Sequence, residues 1–422
     1  MRGIRAFGCA ALVLCLTVPV SVQQPDHPGI YNVGFTSFVV SDASRGRSIP
    51  ISVFYPVSPS DVDSSSAPAT YPRDPVNRPG ESLSSTLFEP LGVDPAYEAP
   101  PPSPRGPFPL IVFSPGLNSP ATHYAYLGAR LASHGYVVAL LSHPGESSHI
   151  RVVMSNRALD MSFALTELLA RNDTPGELLY GTMDPAMVVS AGHSIGGYAA
   201  IVMAGGDDNV CNPVPMNPPP PGSCVGVAPD PRFAALVTLD ASNFLLRFEE
   251  MELVTVPSLA MGRDPETLLA QRANYGAALQ ARQHAAFRGS PNYRVDVIDS
   301  RHAASFTNVC EHTLVELAAG KITQATADAT LALFECYVST AISPAEGHRL
   351  VTAYLVSFLD KIADRLDDDN GETSSLHLLR PEWAARHEPG VSLFMTEADG
   401  PEVAPRNVGS PFTFQYFRVP PD

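Results

Sequence analysis

Met187-Val188-Val189-Ser190-Ala191-Gly192-His193-Ser194-Ile195-Gly196-Gly197-Tyr198-Ala199-Ala200 decides the fold. A β-prone run enters a Gly-x-Ser-x-Gly turn and leaves as an Ala-rich, apolar helix, which is the context a nucleophile elbow requires. A serine hydroxyl is a weak nucleophile at neutral pH, so it must sit where a base can take its proton and amide donors can face the developing oxyanion. Gly192 and Gly196 lack Cβ atoms, which lets strand and helix pass closely while Ser194 occupies a strained conformation at the tip.

Outward from this stretch, strands and helices alternate. Phe108 to Phe113 and Tyr136 to Leu141 are apolar runs expected as buried parallel strands, and Phe233 to Leu239, Val254 to Met261 and Tyr293 to Ile298 continue the series. Helices are expected from Thr122 to His134, stopped by Gly135, from Asn156 to Ala170, and from Leu350 to Leu366. Ile30 to Val40 and Ile49 to Val57 precede them as two antiparallel strands. The pattern predicts an α/β fold, a doubly wound, mostly parallel sheet with helices on both faces, and places ligands beyond the carboxyl ends of its strands.

Ser194, an acid and His302 then follow in the chain order of an α/β-hydrolase triad, each at a strand's carboxyl end. His302 would take the Ser194 proton and return it to the leaving group, while the acid orients the imidazole. Two acids are open. Asp240 ends one strand, and Asp264 follows the next, where Arg263 could pair with it or it could cap a helix beginning near Pro265. Asp240, lacking such a neighbour, is the preferred acid. The backbone amides of Leu117 and Ile195 are the expected oxyanion donors. His193, in the variable position of the elbow, should point away from the nucleophile, and His143 is expected on the surface of a strand-exit loop.

The 422 residues, 45% hydrophobic and 17% charged, allow a large core, and a net charge of −16 argues against nucleic acid or anionic lipid as partner. Arg2 and Arg5 followed by the apolar run Ala6 to Val20 suggest a signal peptide over residues 1–22, hence a secreted or periplasmic protein without a stably inserted span. A catalytic domain is expected over 23–370, with a Pro-rich insertion at 58–107, a Cys-containing insertion at 205–231, and an extension of no assigned role at 371–422. Outside the signal, Cys211 with Cys224 and Cys310 with Cys336 are the economical disulfides, each closing a local loop. No zinc-protease, P-loop or dinucleotide motif occurs, so neither metal nor cofactor is expected.

Phe113 to Leu117, Leu131 to Val138, Gly192 to Gly197 and Leu239-Asp240-Ala241 together resemble the platelet-activating-factor acetylhydrolase family, whose bacterial relatives are labelled predicted dienelactone hydrolases. The resemblance spans about residues 48–366. It implies a serine-dependent, calcium-independent carboxylic-ester hydrolase with Ser194 as nucleophile, Asp240 as acid, His302 as base, and Leu117 and Ile195 as oxyanion donors. Pro115 stands where that family usually has His. The expected substrate is a short-chain or oxidised acyl ester, including phospholipid esters. A polyester or cutinase-like hydrolase and a catalytically inactive binding module are the alternatives.

Overall fold

The structure, a computed structural model, describes residues 25–74, 78–83, 93–147, 149–206, 210–211, 219–243, 246–264, 279–363 and 378–396. Twelve strands occur among them: β1 (Asn32–Asp42), β2 (Arg47–Val57), β3 (Tyr71–Asp74), β4 (Arg78–Leu83), β5 (Ala96–Glu98), β6 (Phe108–Ser114), β7 (Val137–Leu141), β8 (Met183–His193), β9 (Phe233–Leu239), β10 (Ser258–Arg263), β11 (Asn292–Val297) and β12 (Val391–Thr396). Ten form one sheet in the order β12-β11-β10-β9-β8-β6-β7-β2-β1-β5, and β3 pairs with β4 apart from it.

The six strands from β7 to β11 in that order are mutually parallel, and β2 and β12 flank them antiparallel. Every residue of β6 and β7 is buried, as expected for strands covered on both faces. Side chains alternate between two cores with the period of a strand. Val138 and Leu140 join one layer with α1 (Ala125–Ser133) and helix Pro344–Ile362. Val137, Ala139 and Leu141 join the other with α2 (Ile150–Asp173) and α3 (Ile195–Met203). The doubly wound sheet is therefore present with helices on both faces.

Several elements differ from their expected extents. α2 runs for 24 residues, beginning well before Asn156 at Ile150, which lines a cavity together with Ser194. A 3-10 turn, Ala121–Tyr124, precedes α1. The strand expected from Val254 to Met261 starts at Ser258 and extends through Gly262 and Arg263. The Pro-rich region 58–107 is not simply a loop: it contributes β3, β4 and the edge strand β5, which pairs in parallel with β1. Residues 381–396 add helix Pro381–His387 and β12, which closes the opposite edge in register with β11 from Asn292↔Thr396 to Val297↔Val391. The proposed signal segment, Leu366 and residues 397–422 of the extension lie outside the described residues. No helix among the described residues is long and apolar enough to cross a membrane.

Both expected disulfides are formed, with Cα separations of 5.5 Å for Cys211–Cys224 and 5.6 Å for Cys310–Cys336. The second ties helix Val309–Ala318 to the turn that follows helix Gln324–Leu333, stapling the two helices together. Closing its loop should contribute about 2–4 kcal/mol, chiefly by restricting the unfolded chain. Cys310→Ser paired with Cys336→Ser is expected to lower Tm without altering a non-reducing peptide map at Cys211–Cys224.

Beside the staple, Glu311 has a buried Oε2 that meets no donor among the described residues, and burial pushes its carboxyl up from 4.5 to about 7. The folded state thus holds a proton that the unfolded chain releases. The associated stability is present in full below the unfolded value and is lost as pH rises through the folded one. Glu311→Gln, which mimics the protonated acid, should raise Tm over wild type at about pH 8 and give no gain near about pH 4. An equal effect at both pH values would contradict the assignment.

Candidate active site

The elbow turns between β8 and α3. Ser194 has φ 56° and ψ −122°, a left-handed backbone that a side chain adopts only under constraint. The constraint is close packing: a Cβ on Gly192 would stand 2.3 Å from Gly196 O, and one on Gly196 would stand 2.0 Å from Ser114 O. Backbone bonds then lock the turn to β9, Ser194 N–H donating to Leu239 O at 3.0 Å and Ser242 N–H to Ser194 O at 2.9 Å.

β8, β9 and the loop after β11 bring Ser194, Asp240 and His302 together. His302 Nε2 lies 2.9 Å from Ser194 Oγ, and His302 Nδ1 lies 2.5 Å from Asp240 Oδ2. Asp240 is buried and accepts from every side: Arg263 Nε at 2.8 Å, Arg263 N–H at 3.3 Å and Gln280 Nε2 at 2.8 Å in addition to His302. Burial alone would raise this carboxyl, but the charge of Arg263 and the bond from His302 override it and hold the group well below the usual carboxylate range. An ionised carboxylate has no proton to give, so Nδ1 of His302 carries the hydrogen and Nε2 presents its lone pair to Ser194.

Arg263, for which a pairing with its neighbour Asp264 was one possibility, forms an ion pair with Asp240. Arg263 is the last residue of β10 and turns its guanidinium to the site, donating from Nε to Asp240 Oδ2 at 2.8 Å. Asp264 is one of the charges acting on Asp296, a carboxyl raised to about 6 first by burial. Among the described residues His302 is bonded to Asp240 and not to Asp264.

His193 and His143 are both buried, which for His143 departs from expectation. His193 is buried against the base loop: its Nε2 donates to His302 O at 2.8 Å, which leaves Nδ1 to accept from Tyr124 Oη at 2.8 Å, while Tyr124 Oη accepts from Gly116 N–H at 2.8 Å. Burial, followed by the nearby charge of His302, pushes His193 down to about 3, so it stays neutral and keeps this tautomer. His143 is not on the surface. Nδ1 donates to Asp160 Oδ2 at 2.9 Å, Nε2 accepts from Ser114 Oγ at 2.9 Å, and Arg45 and Arg47 complete the carboxylate's partners. This second Ser–His–Asp array is buried and has no part in the lining of the cavity, so it braces the end of β6 rather than meeting a substrate.

Ser194, His302, Leu117 and Ile195 line a cavity of about 500 Å³ beyond the carboxyl ends of the parallel strands. Ile150, Val309 and Phe334 supply apolar wall, and Ser119, His123 and Thr307 polar wall. Among the described residues neither the Leu117 nor the Ile195 amide is engaged in a hydrogen bond. No group of three or more His, Cys, Asp or Glu side chains suited to a metal ion occurs among those residues.

Arg157, Tyr124 and Gln280 escaped the sequence reading. One signal was available: Arg157 and Asp160 fall on the α2 face that buries Val153, Met154, Ala158, Met161 and Leu165, where a charge needs a buried partner.

Sheet order, elbow and strand-end constellation together define an α/β-hydrolase fold. Within that class, residues 16–166 match the family model of platelet-activating factor acetylhydrolase, isoform II, a match that contains the Ser114 to Leu117 loop and ends before the elbow. The chain is similar in fold to a ferulic acid esterase from Streptomyces cinnamoneus, with 22% identity, a TM-score of 0.53, and coverage of 81% of this chain and 93% of that one. No curated protein matches the chain.

Asp240→Asn should leave the fold intact and lower kcat by about three to four orders of magnitude, because an amide no longer selects the Nδ1–H tautomer of His302. Asp264→Asn should leave kcat near wild type. The reverse ranking in steady-state ester hydrolysis would reassign the acid.

Proposed function

We propose that the protein is an exported serine carboxylic-ester hydrolase that works through an acyl-enzyme on short-chain or oxidised acyl esters, including those of phospholipids. The observation that carries this reading is the Ser194–His302–Asp240 chain of hydrogen bonds, 2.9 Å and 2.5 Å long, opening on a cavity with two unengaged amides. The family match supports the esterase class, and the two disulfides support export to an oxidising compartment.

The ester carbonyl sits with its oxygen toward the Leu117 and Ile195 amides. Ser194 Oγ attacks the carbonyl carbon as its proton passes to His302 Nε2, and the imidazolium is stabilised by the ionised Asp240. The tetrahedral intermediate places its negative charge on the amide donors, which are already oriented and need no reorganisation. Collapse breaks the bond to the alcohol oxygen, which takes the proton from His302. Water then repeats the sequence on the acyl-enzyme and restores Ser194.

Ile150, Val309 and Phe334 accept an acyl chain, while Ser119, His123 and Thr307 offer partners to an oxidised one. The volume suits a ligand of modest size. The charge of Arg263 and the bond from His302 outweigh burial and hold Asp240 ionised, so it is ready to stabilise the imidazolium.

A fluorophosphonate probe should label Ser194, abolish hydrolysis of p-nitrophenyl esters, and do so equally in EDTA. Within a panel of p-nitrophenyl esters of rising chain length, ω-oxidised acyl esters, feruloyl esters and polyester film, short and oxidised acyl esters should have the highest kcat/KM. Labelling of another residue with loss of activity would remove Ser194 from the mechanism. Preference for film or feruloyl esters would overturn the substrate assignment alone.

A further inference from the structure

The loop from Ser114 to Leu117 is held by a side chain that the hydrolase mechanism does not itself use. Arg157 extends from α2, is 1% exposed, and donates from Nη1 to Pro115 O and from Nη2 to Gly116 O at 3.0 Å. Its Nε donates to Glu146 Oε1 at 2.5 Å, and Glu146 Oε2 in turn accepts from Asn118 N–H at 3.2 Å. One buried guanidinium thus grips two consecutive peptide carbonyls, and one carboxylate ties it to the residue beyond them.

The consequence follows from peptide geometry. In a trans peptide the C=O and the N–H of the same planar unit point in opposite directions. The unit joining Pro115 to Gly116 illustrates this, its carbonyl turned to Arg157 and its N–H turned to Tyr124 Oη at 2.8 Å. The next unit joins Gly116 to Leu117. Its carbonyl is also turned to Arg157, so its N–H, belonging to Leu117, is turned the other way. Leu117 lines the cavity with Ser194 and Arg157 does not. A cation on the carbonyl oxygen also draws electrons through the amide and strengthens the N–H as a donor.

We propose that Arg157 is a positioning residue for hydrolysis: through the Gly116–Leu117 peptide it aims and polarises the Leu117 amide toward the oxyanion, with Glu146 holding it in place. This rests on the Ser194 hydrolase reading. Lysine keeps the charge but lacks the planar fork that reaches two carbonyls at once.

The test compares wild type, Arg157→Lys and Glu146→Gln by Tm, by p-nitrophenyl ester kinetics and by inhibition with an alkyl boronic acid, which forms a tetrahedral adduct on a serine. Arg157→Lys should lower kcat by about 10-fold to 100-fold, approaching the loss of an oxyanion donor, with KM within about threefold. Boronate affinity should fall in parallel with kcat/KM, a coupling that loss of stability alone does not produce. Glu146→Gln should shift the same quantities in the same direction by a smaller factor.

A folded Arg157→Lys variant with wild-type kcat and boronate affinity overturns the proposal, as does a fall in kcat with unchanged boronate affinity. If Arg157→Lys does not fold, Glu146→Gln is judged by the same criteria. Fluorophosphonate labelling of Ser194 in the wild type separates the two levels: no labelling defeats the hydrolase reading and this inference with it, whereas labelling with unaffected variants defeats the inference alone.

Discussion

The site depends on a close backbone approach that only glycine allows. Gly192 lies against Gly196, and Gly196 against the carbonyls of Ser114 and Pro115, at separations where a methyl group would collide. The end of β6 and the elbow that joins β8 to α3, which are distant in sequence, therefore meet through main chain alone. The left-handed Ser194 is the strained point of this junction, with a cost of about 1–3 kcal/mol that the surrounding sheet offsets. Because α3 begins immediately after Ser194, the Ile195 amide is one of the unpaired donors of a helix N-terminus. The same contact that strains Ser194 brings the Leu117 loop beside it.

Around this junction each proton has a defined place. The Asp240 carboxylate accepts four bonds, which puts hydrogen on His302 Nδ1 and a lone pair on Nε2. His193 is fixed by the opposite logic, since a carbonyl at Nε2 requires hydrogen there and leaves Nδ1 for Tyr124. Base loop, elbow and Gly116 are thereby joined through His193 and Tyr124. The Ser114–His143–Asp160 array shares the bond pattern of the one that lines the cavity, yet it serves packing. Access to the cavity and a neighbouring pair of amides distinguish the two, so a Ser–His–Asp pattern by itself assigns no chemistry.

Much of the architecture was legible in the chain because it depends on short-range pattern. Continuous apolar runs marked β6, β7 and β9 as doubly covered strands, and the change from strand to helix through Gly192-His193-Ser194-Ile195-Gly196 marked the elbow. The region 58–107 was less legible. Its strands are short, interrupted by proline, and exist through pairing with partners such as β1, so local propensity carried little signal. β12 is likewise an edge strand defined by β11. The two local disulfides could be anticipated because each closes a short loop, and both pairs stand within bonding distance.

The sequence by itself determined the alternation of strand and helix, the position of Ser194 at a turn, and the order Ser194, Asp240, His302, since these follow from periodicity and from residues adjacent in the chain. Only the tertiary structure decided which acid faces His302, that Arg263 reaches Asp240 across 23 positions, and that His143 is buried. It also brought Arg157 to the carbonyls of Pro115 and Gly116, 42 and 41 positions away. The physical reason is common to all of them. A buried charge or imidazole takes its partner from whatever the packed elements bring within about 3 Å, and that proximity is set by strand order and helix placement, not by separation along the chain.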